Sequence, residues 1–120
     1  MGFRRITTSS GKLVLAGKSA ANNEELVEQI GVNEDVFHTV KPGSPFVNIK
    51  GRSNKEDRKE AAIFCAKYSQ DWRDHQSDIA IHWFKGASVE KKKGMEIGTF
   101  SVKKFKLMKI KKEDIEKWKK

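Results

Sequence analysis

The 120-residue sequence contains one cysteine, Cys65, which excludes an intramolecular disulfide and any multi-cysteine zinc site. No apolar stretch approaches the ~20 residues that a membrane-spanning helix needs. No apolar segment follows Arg4 and Arg5, so the start of the chain does not read as a secretory signal. Gly2 follows Met1, but Ile6 stands where a myristoylation signal carries Ser or Thr. The sequence has no GxGxxG, no Walker A motif and no internal repeat, and His38, His75 and His82 form neither HExxH nor HxH. Cys65 falls on an apolar helical stripe and reads as a buried structural thiol. These absences leave no recognised catalytic constellation. The expectation is a non-enzymatic, cytoplasmic protein that is not bound to membranes and has neither cofactor nor metal.

What is present is charge of one sign, unevenly spread. Charged residues make up 34% of the chain and hydrophobic residues 37%, against usual shares of about 25% and about 45–50%. The core is therefore modest, with seven Phe and three Trp supplying bulk. Residues 1–84 carry 12 basic and 11 acidic side chains, whereas residues 85–120 carry 13 lysines and 5 acids. Of the net +9, +8 thus lies in the last 36 residues. A concentrated basic region points to a polyanionic partner such as nucleic acid, or to an acidic protein surface. The length suits one domain, with residues 85–120 as part of it.

Hydrophobic patterning predicts strands over residues 3–8 and 12–16 joined by a Ser9-Ser10-Gly11 turn. A short helix capped by Asn22 or Asn23 and closed near Gly31 follows. Strands are expected at 35–40 and 46–49, separated by the two-proline turn Lys41-Pro42-Gly43-Ser44-Pro45. A long helix then begins at a capping box, either Ser53 with Glu56 or Asn54 with Asp57, and runs to about His75. Residues 79–84 read as a central strand covered on both faces. A polar loop spans 86–97. Lysine-interleaved strands at 99–102 and 105–110 precede a terminal helix over 113–120. The order implies an α+β fold: a single mixed, mainly antiparallel sheet with one long packed helix and shorter helices.

Lysines on a loop and neighbouring strands can contact successive phosphates without sequence preference. On this basis Lys85, Lys91, Lys92, Lys93, Lys103, Lys104 and Lys106 are candidate nucleic-acid contacts. Phe100 and Phe105 read first as core, which leaves base stacking open.

Gly17-Lys18 with Asn23 and Leu26, then Asp35-Val36-Phe37-His38-Thr39, then Gly43-Ser44-Pro45-Phe46-Val47, resembles the NFACT RNA-binding domain. The Ala-rich helix with Ala61, Ala62, Ala66 and Ser69 also fits it, as do Lys91, Gly94 and Gly98 of the downstream segment. The likeness covers about residues 3–110 and is most specific between His38 and Val47. It implies an RNA-binding module of ribosome quality-control factors, contacting tRNA or rRNA and the large ribosomal subunit. It also makes His38, Ser44 and Lys91 the best site positions. The 120 residues resemble that module alone, so the tail elongation of the full-length factors is not carried over. Three positions depart from the pattern: Glu90 where a basic residue is common, Ile97 where Pro is common and Phe46 where His is common. A DNA-binding module and a protein–protein adaptor docking on an acidic partner are the alternative readings.

Overall fold

A computed structural model describes residues 2–118. Lys119 and Lys120, the last residues of the expected terminal helix, lie outside it. The chain runs β1 (Arg4–Thr7), β2 (Leu13–Ala16), α1 (Ala20–Glu28), β3 (Asp35–Thr39), β4 (Val47–Ile49), α2 (Lys55–Lys67), α3 (Gln70–His75), β5 (Ile79–Lys85), β6 (Val89–Glu90), β7 (Ser101–Val102), β8 (Lys106–Ile110) and α4 (Lys112–Glu116). Six strands form one sheet in the order β1-β2-β4-β3-β5-β8, and β6 with β7 forms a small second sheet. Every pairing is antiparallel. The α+β architecture expected from the sequence is the one observed. Among the described residues no helix is long and apolar enough to cross a membrane.

The alternation of the strands sends two sets of side chains to opposite faces. Val14, Phe37, Val47, Ile49, Ile79 and Ile81 point toward α2, whose Ala61, Ala62, Phe64 and Cys65 are buried against them. Small alanines let the helix approach closely, and each large apolar side chain buried here contributes about 1.5–3 kcal/mol. Cys65 is fully buried and its thiol is pushed up to about 12 by that burial, consistent with a structural role. On the other face Leu15, Val36, Phe46 and Phe84 pack around Leu26 of α1.

Several local expectations change. Ser19, not Asn22 or Asn23, caps α1, its side chain accepting the Asn22 N–H at 3.1 Å. The two asparagines turn back instead: Asn22 Oδ1 accepts the Lys18 N–H at 2.9 Å and Asn23 Oδ1 accepts the Phe46 N–H at 3.1 Å. The capping box of α2 is Asn54 with Asp57, because Ser53 is drawn off to donate to the Asp35 carboxylate. The long helix does not reach His75 unbroken. Ser69 has extended backbone and caps α3 by accepting the Trp72 N–H at 3.1 Å, while the Gly43 carbonyl takes the Gln70 N–H at 2.7 Å. The β5 strand is not covered on both faces. It lies next to the edge strand β8, and on the face away from α2 Ala80 is exposed and His82 half-buried. The helix α1 is too short to shield this half of the sheet.

Candidate nucleic-acid interface

The uncovered half of the sheet opens into a cleft of about 720 Å³, bounded by the turn before α1, the 42–46 turn and the 97–105 segment. Its floor follows from strand register. His38 of β3 pairs directly with His82 of β5, and partners in an antiparallel ladder project to the same face with Cβ atoms ~5 Å apart. Each histidine then meets a phenylalanine: His38 lies 4.6 Å from Phe46 between ring centroids, and His82 lies 4.2 Å from Phe105. Phe46 in turn meets Phe100 edge-on at 5.2 Å. A row of rings thus crosses the cleft in the order Phe105, His82, His38, Phe46, Phe100. Phe100 is half-buried as expected of a core residue, but Phe105 is 49% exposed and belongs to no strand.

Burial lowers the pKa of both histidines below the ordinary 6.5. His38 Nδ1 stands 2.7 Å from the Thr39 carbonyl. A carbonyl only accepts, so Nδ1 carries the proton and the neutral ring keeps Nε2 as an acceptor. The sign of the stability effect follows: a histidine held neutral by burial contributes fully above pH ~6.5 and loses that contribution as pH falls through the lowered value. We expect the melting temperature to drop between about pH 7 and pH 5, and to drop less in His38→Gln. A flat wild-type profile over that interval would contradict the burial.

Close packing around the cleft relies on two glycines. A Cβ on Gly17 would sit 1.9 Å from Asn23 Oδ1, the atom that holds the Phe46 backbone. Gly98 has φ +85°, and a Cβ there would sit 2.7 Å from that of Ala20, so the 97–105 segment lies directly on the start of α1. Gly98 N–H also donates to Glu24 at 2.7 Å. The Lys91 ammonium and this N–H hold the Glu24 carboxyl below its usual range.

The cleft adjoins a second depression with which it shares Arg4, Lys18, Tyr68 and Arg73, and to which Lys67 is added. Arg4 comes from β1, Lys18 from the turn before α1, Lys67 from the end of α2 and Arg73 from α3. Four cations therefore converge from four separate segments, and among the described residues no carboxylate lines either depression. Arg4 stacks over the Tyr68 ring at 4.2 Å. In a site without counter-charges these four groups create a field suited to consecutive phosphates.

The residues expected from the sequence divide. His38 and Ser44 line the cleft. The Ser44 hydroxyl is engaged on both sides, accepting from the Thr39 N–H at 3.0 Å and donating to the Pro45 carbonyl at 3.1 Å. None of the seven lysines lines either depression. Lys85 pairs with the buried Asp35 at 2.8 Å on the α2 face, and Lys106 lies over the Trp83 ring at 5.4 Å. Lys103 pairs with Glu90 at 3.1 Å. Lys91 turns inward, donating to Glu24 at 2.6 Å, to the Thr99 carbonyl at 2.9 Å and to the Glu96 carbonyl. These contacts occupy its three N–H donors and pin the loop that carries Phe100. Lys92, Lys93 and Lys104 are exposed. His75 pairs with Asp71 at 2.9 Å and does not line the cleft. Among the described residues no three potential metal ligands come together.

Arg4, Lys67, Arg73 and His82 stand in no motif or charge cluster that marks them as site residues, Phe105 reads from the sequence first as core, and Lys18 stands out only within the family-like Gly17-Lys18 stretch. The available signal was that both His38 and His82 sit on strands, but their pairing required the register.

The sequence profile described as the NFACT protein RNA binding domain matches residues 2–104. The archaeal Rqc2 homolog aRqcH of Methanocaldococcus jannaschii is 33% identical over 89 residues, which is 71% of this chain and 13% of that protein. The C-terminal structure of the fibronectin/fibrinogen-binding protein from Streptococcus suis superposes with a TM-score of 0.84 at 20% identity, covering 92% of this chain and 45% of that one. At that identity the likeness concerns the fold. The profile match covers four of the five rings, ending one residue before Phe105, together with the turn glycines and all four groove cations, and by it the chain belongs to the NFACT protein RNA binding domain family.

Proposed function

We propose that these 120 residues act as one non-catalytic RNA-binding domain that contacts tRNA or rRNA in the cytoplasm, in ribosome-associated quality control, with the large ribosomal subunit as the assembly it serves. The observation that carries the reading is the convergence of Arg4, Lys18, Lys67 and Arg73 around depressions that, among the described residues, no carboxylate lines. Membership of an RNA-binding family and likeness to an Rqc2 homolog support it. Phosphates would dock on the four cations, and the exposed Lys92, Lys93 and Lys104 would add long-range attraction. His38 and Ser44 shape the pocket beside that track.

The test is a titration of the full chain with labelled tRNA, and with duplex DNA of equal length, at salt concentrations from about 50 to 300 mM. The expected result is tRNA binding that weakens steeply with salt and survives a DNA competitor. Binding without a salt slope would refute the electrostatic reading. Equal competition by DNA would favour a general nucleic-acid module. Sedimentation with ribosomes that persists after nuclease treatment would favour a protein partner instead.

A further inference from the structure

We infer that the cleft is a receptor for one unpaired nucleobase, with the flanking phosphates held on the Arg4–Lys18–Arg73 groove. The inference rests on the RNA-binding reading and goes beyond it, since a cationic groove alone would serve a duplex equally well.

A volume of about 720 Å³ lined by both aromatic rings and cations does not match a phosphate chain alone. A base has an apolar face and a polar edge, and stacking on aromatic side chains needs an open ring to receive it. Phe105 supplies that ring. It is 49% exposed, lies outside any strand and is held from below by His82 at 4.2 Å. Its exposure has no packing purpose, because the two buried clusters of the domain do not include it.

The edge of the base has a partner as well. His38 donates through Nδ1 to Thr39, which leaves Nε2 as an acceptor within the cleft for a ring or exocyclic N–H. In a duplex the ring N–H and one N–H of each exocyclic amino group are committed to the opposite strand, and the stacked bases cannot enter a cleft. The cations lie where the backbone of such a nucleotide would continue. Arg4, Lys18 and Arg73 line both the cleft and its neighbour, so a chain leaving the rings passes directly onto them. The 97–105 segment completes the wall, and Gly98 with Lys91 fixes it against α1.

The experiment uses the full chain and three fluorescent probes: a single-stranded RNA of about ten nucleotides, the same strand annealed to its complement, and a strand of equal length with abasic riboses and intact phosphates. The expected result is single-strand binding roughly tenfold tighter than either of the other two, the effect of about one stacked base. Phe105→Ala should erase most of that advantage while leaving the salt slope unchanged. Phe105 is half exposed, so this variant retains its fold; a circular dichroism spectrum matching wild type checks this. His38→Gln, which offers a different edge, should lower single-strand affinity without affecting the abasic probe. Equal binding of all three probes with a steep salt slope would overturn the base receptor and leave the RNA-binding reading standing. Failure of all three to bind would remove both.

Discussion

Replacing Arg4, Lys18, Lys67 and Arg73 together by Gln is expected to weaken single-stranded RNA binding roughly a hundredfold at about 0.15 M salt. Each phosphate contact on a single strand adds about 0.7 to the slope of log affinity against log salt. Four lost contacts should therefore lower that slope by about 3, and the affinity loss at about 0.15 M salt follows from it. The informative comparison is the triple variant Lys92→Gln, Lys93→Gln, Lys104→Gln. These lysines lie in the segment with the higher charge count, yet none of them lines the groove. Their loss should cost less than about tenfold, mostly through slower association. If the triple variant were the weaker binder, the interface would lie on the loop rather than in the cleft. Arg4 stacks on Tyr68 at 4.2 Å, so the quadruple variant should also lose about 0.5–1 kcal/mol of stability. Melting curves would separate that loss from the binding effect.

The second large effect is expected at a residue far from any ligand. Asp57→Ala should destabilise the domain by about 3–5 kcal/mol and lower the melting temperature by roughly 10–20 °C. Asp57 is buried, with its carboxylate accepting from the Thr8 hydroxyl at 2.8 Å, the Ser10 hydroxyl at 2.6 Å and the Asn54 N–H at 3.0 Å. Alanine would leave the buried Thr8 hydroxyl without its carboxylate acceptor and break the capping box of α2 together with the tether between that helix and the β1–β2 turn. Burial opposes the ionised form, but the hydrogen bonds from Ser10, Asn54 and Thr8 outweigh it and hold the carboxyl below its usual range. The stabilisation is therefore present above the ordinary carboxylate pKa and lost as pH falls through the lowered value. The neighbouring Glu56, exposed on the same helical turn, provides the control: Glu56→Ala should change stability by less than about 0.5 kcal/mol. A similar small effect at Asp57 would show that the network is not supporting the fold.

Much of the fold was legible because periodicity reports directly on packing. The hairpin at the start, the β3 and β4 strands and the Ala-rich helix all follow from alternation or helical spacing. The break at Ser69 was not legible, because a small residue on the apolar stripe reads equally well as helix interior. At the break the Gln70 N–H turns to the carbonyl of Gly43, 27 positions before it. The site was half legible. His38 and Ser44 stand in the motif that carries the family likeness, and both line the cleft. The cations did not follow, because counting charge along the chain weights neighbours in sequence, whereas a phosphate meets neighbours in space. Arg4 and Arg73 belong to the nearly neutral stretch, yet among the described residues none of its acids lines the depressions where they meet. Lys91 shows the reverse: a lysine inside the basic stretch spends its charge on Glu24 and on two carbonyls of its own loop.

The order of the sheet leaves β8 with one unpaired edge. Such an edge offers free backbone donors and acceptors to the strand of another molecule, and Leu107, 68% exposed, would add an apolar contact. Lys106 and Lys109 flank Leu107 and Met108 along that edge, and Lys111 follows at its end. A second copy of the strand would bring like charges together along its whole length. The basic character of this segment thus opposes the addition of a like strand to the open edge of the sheet.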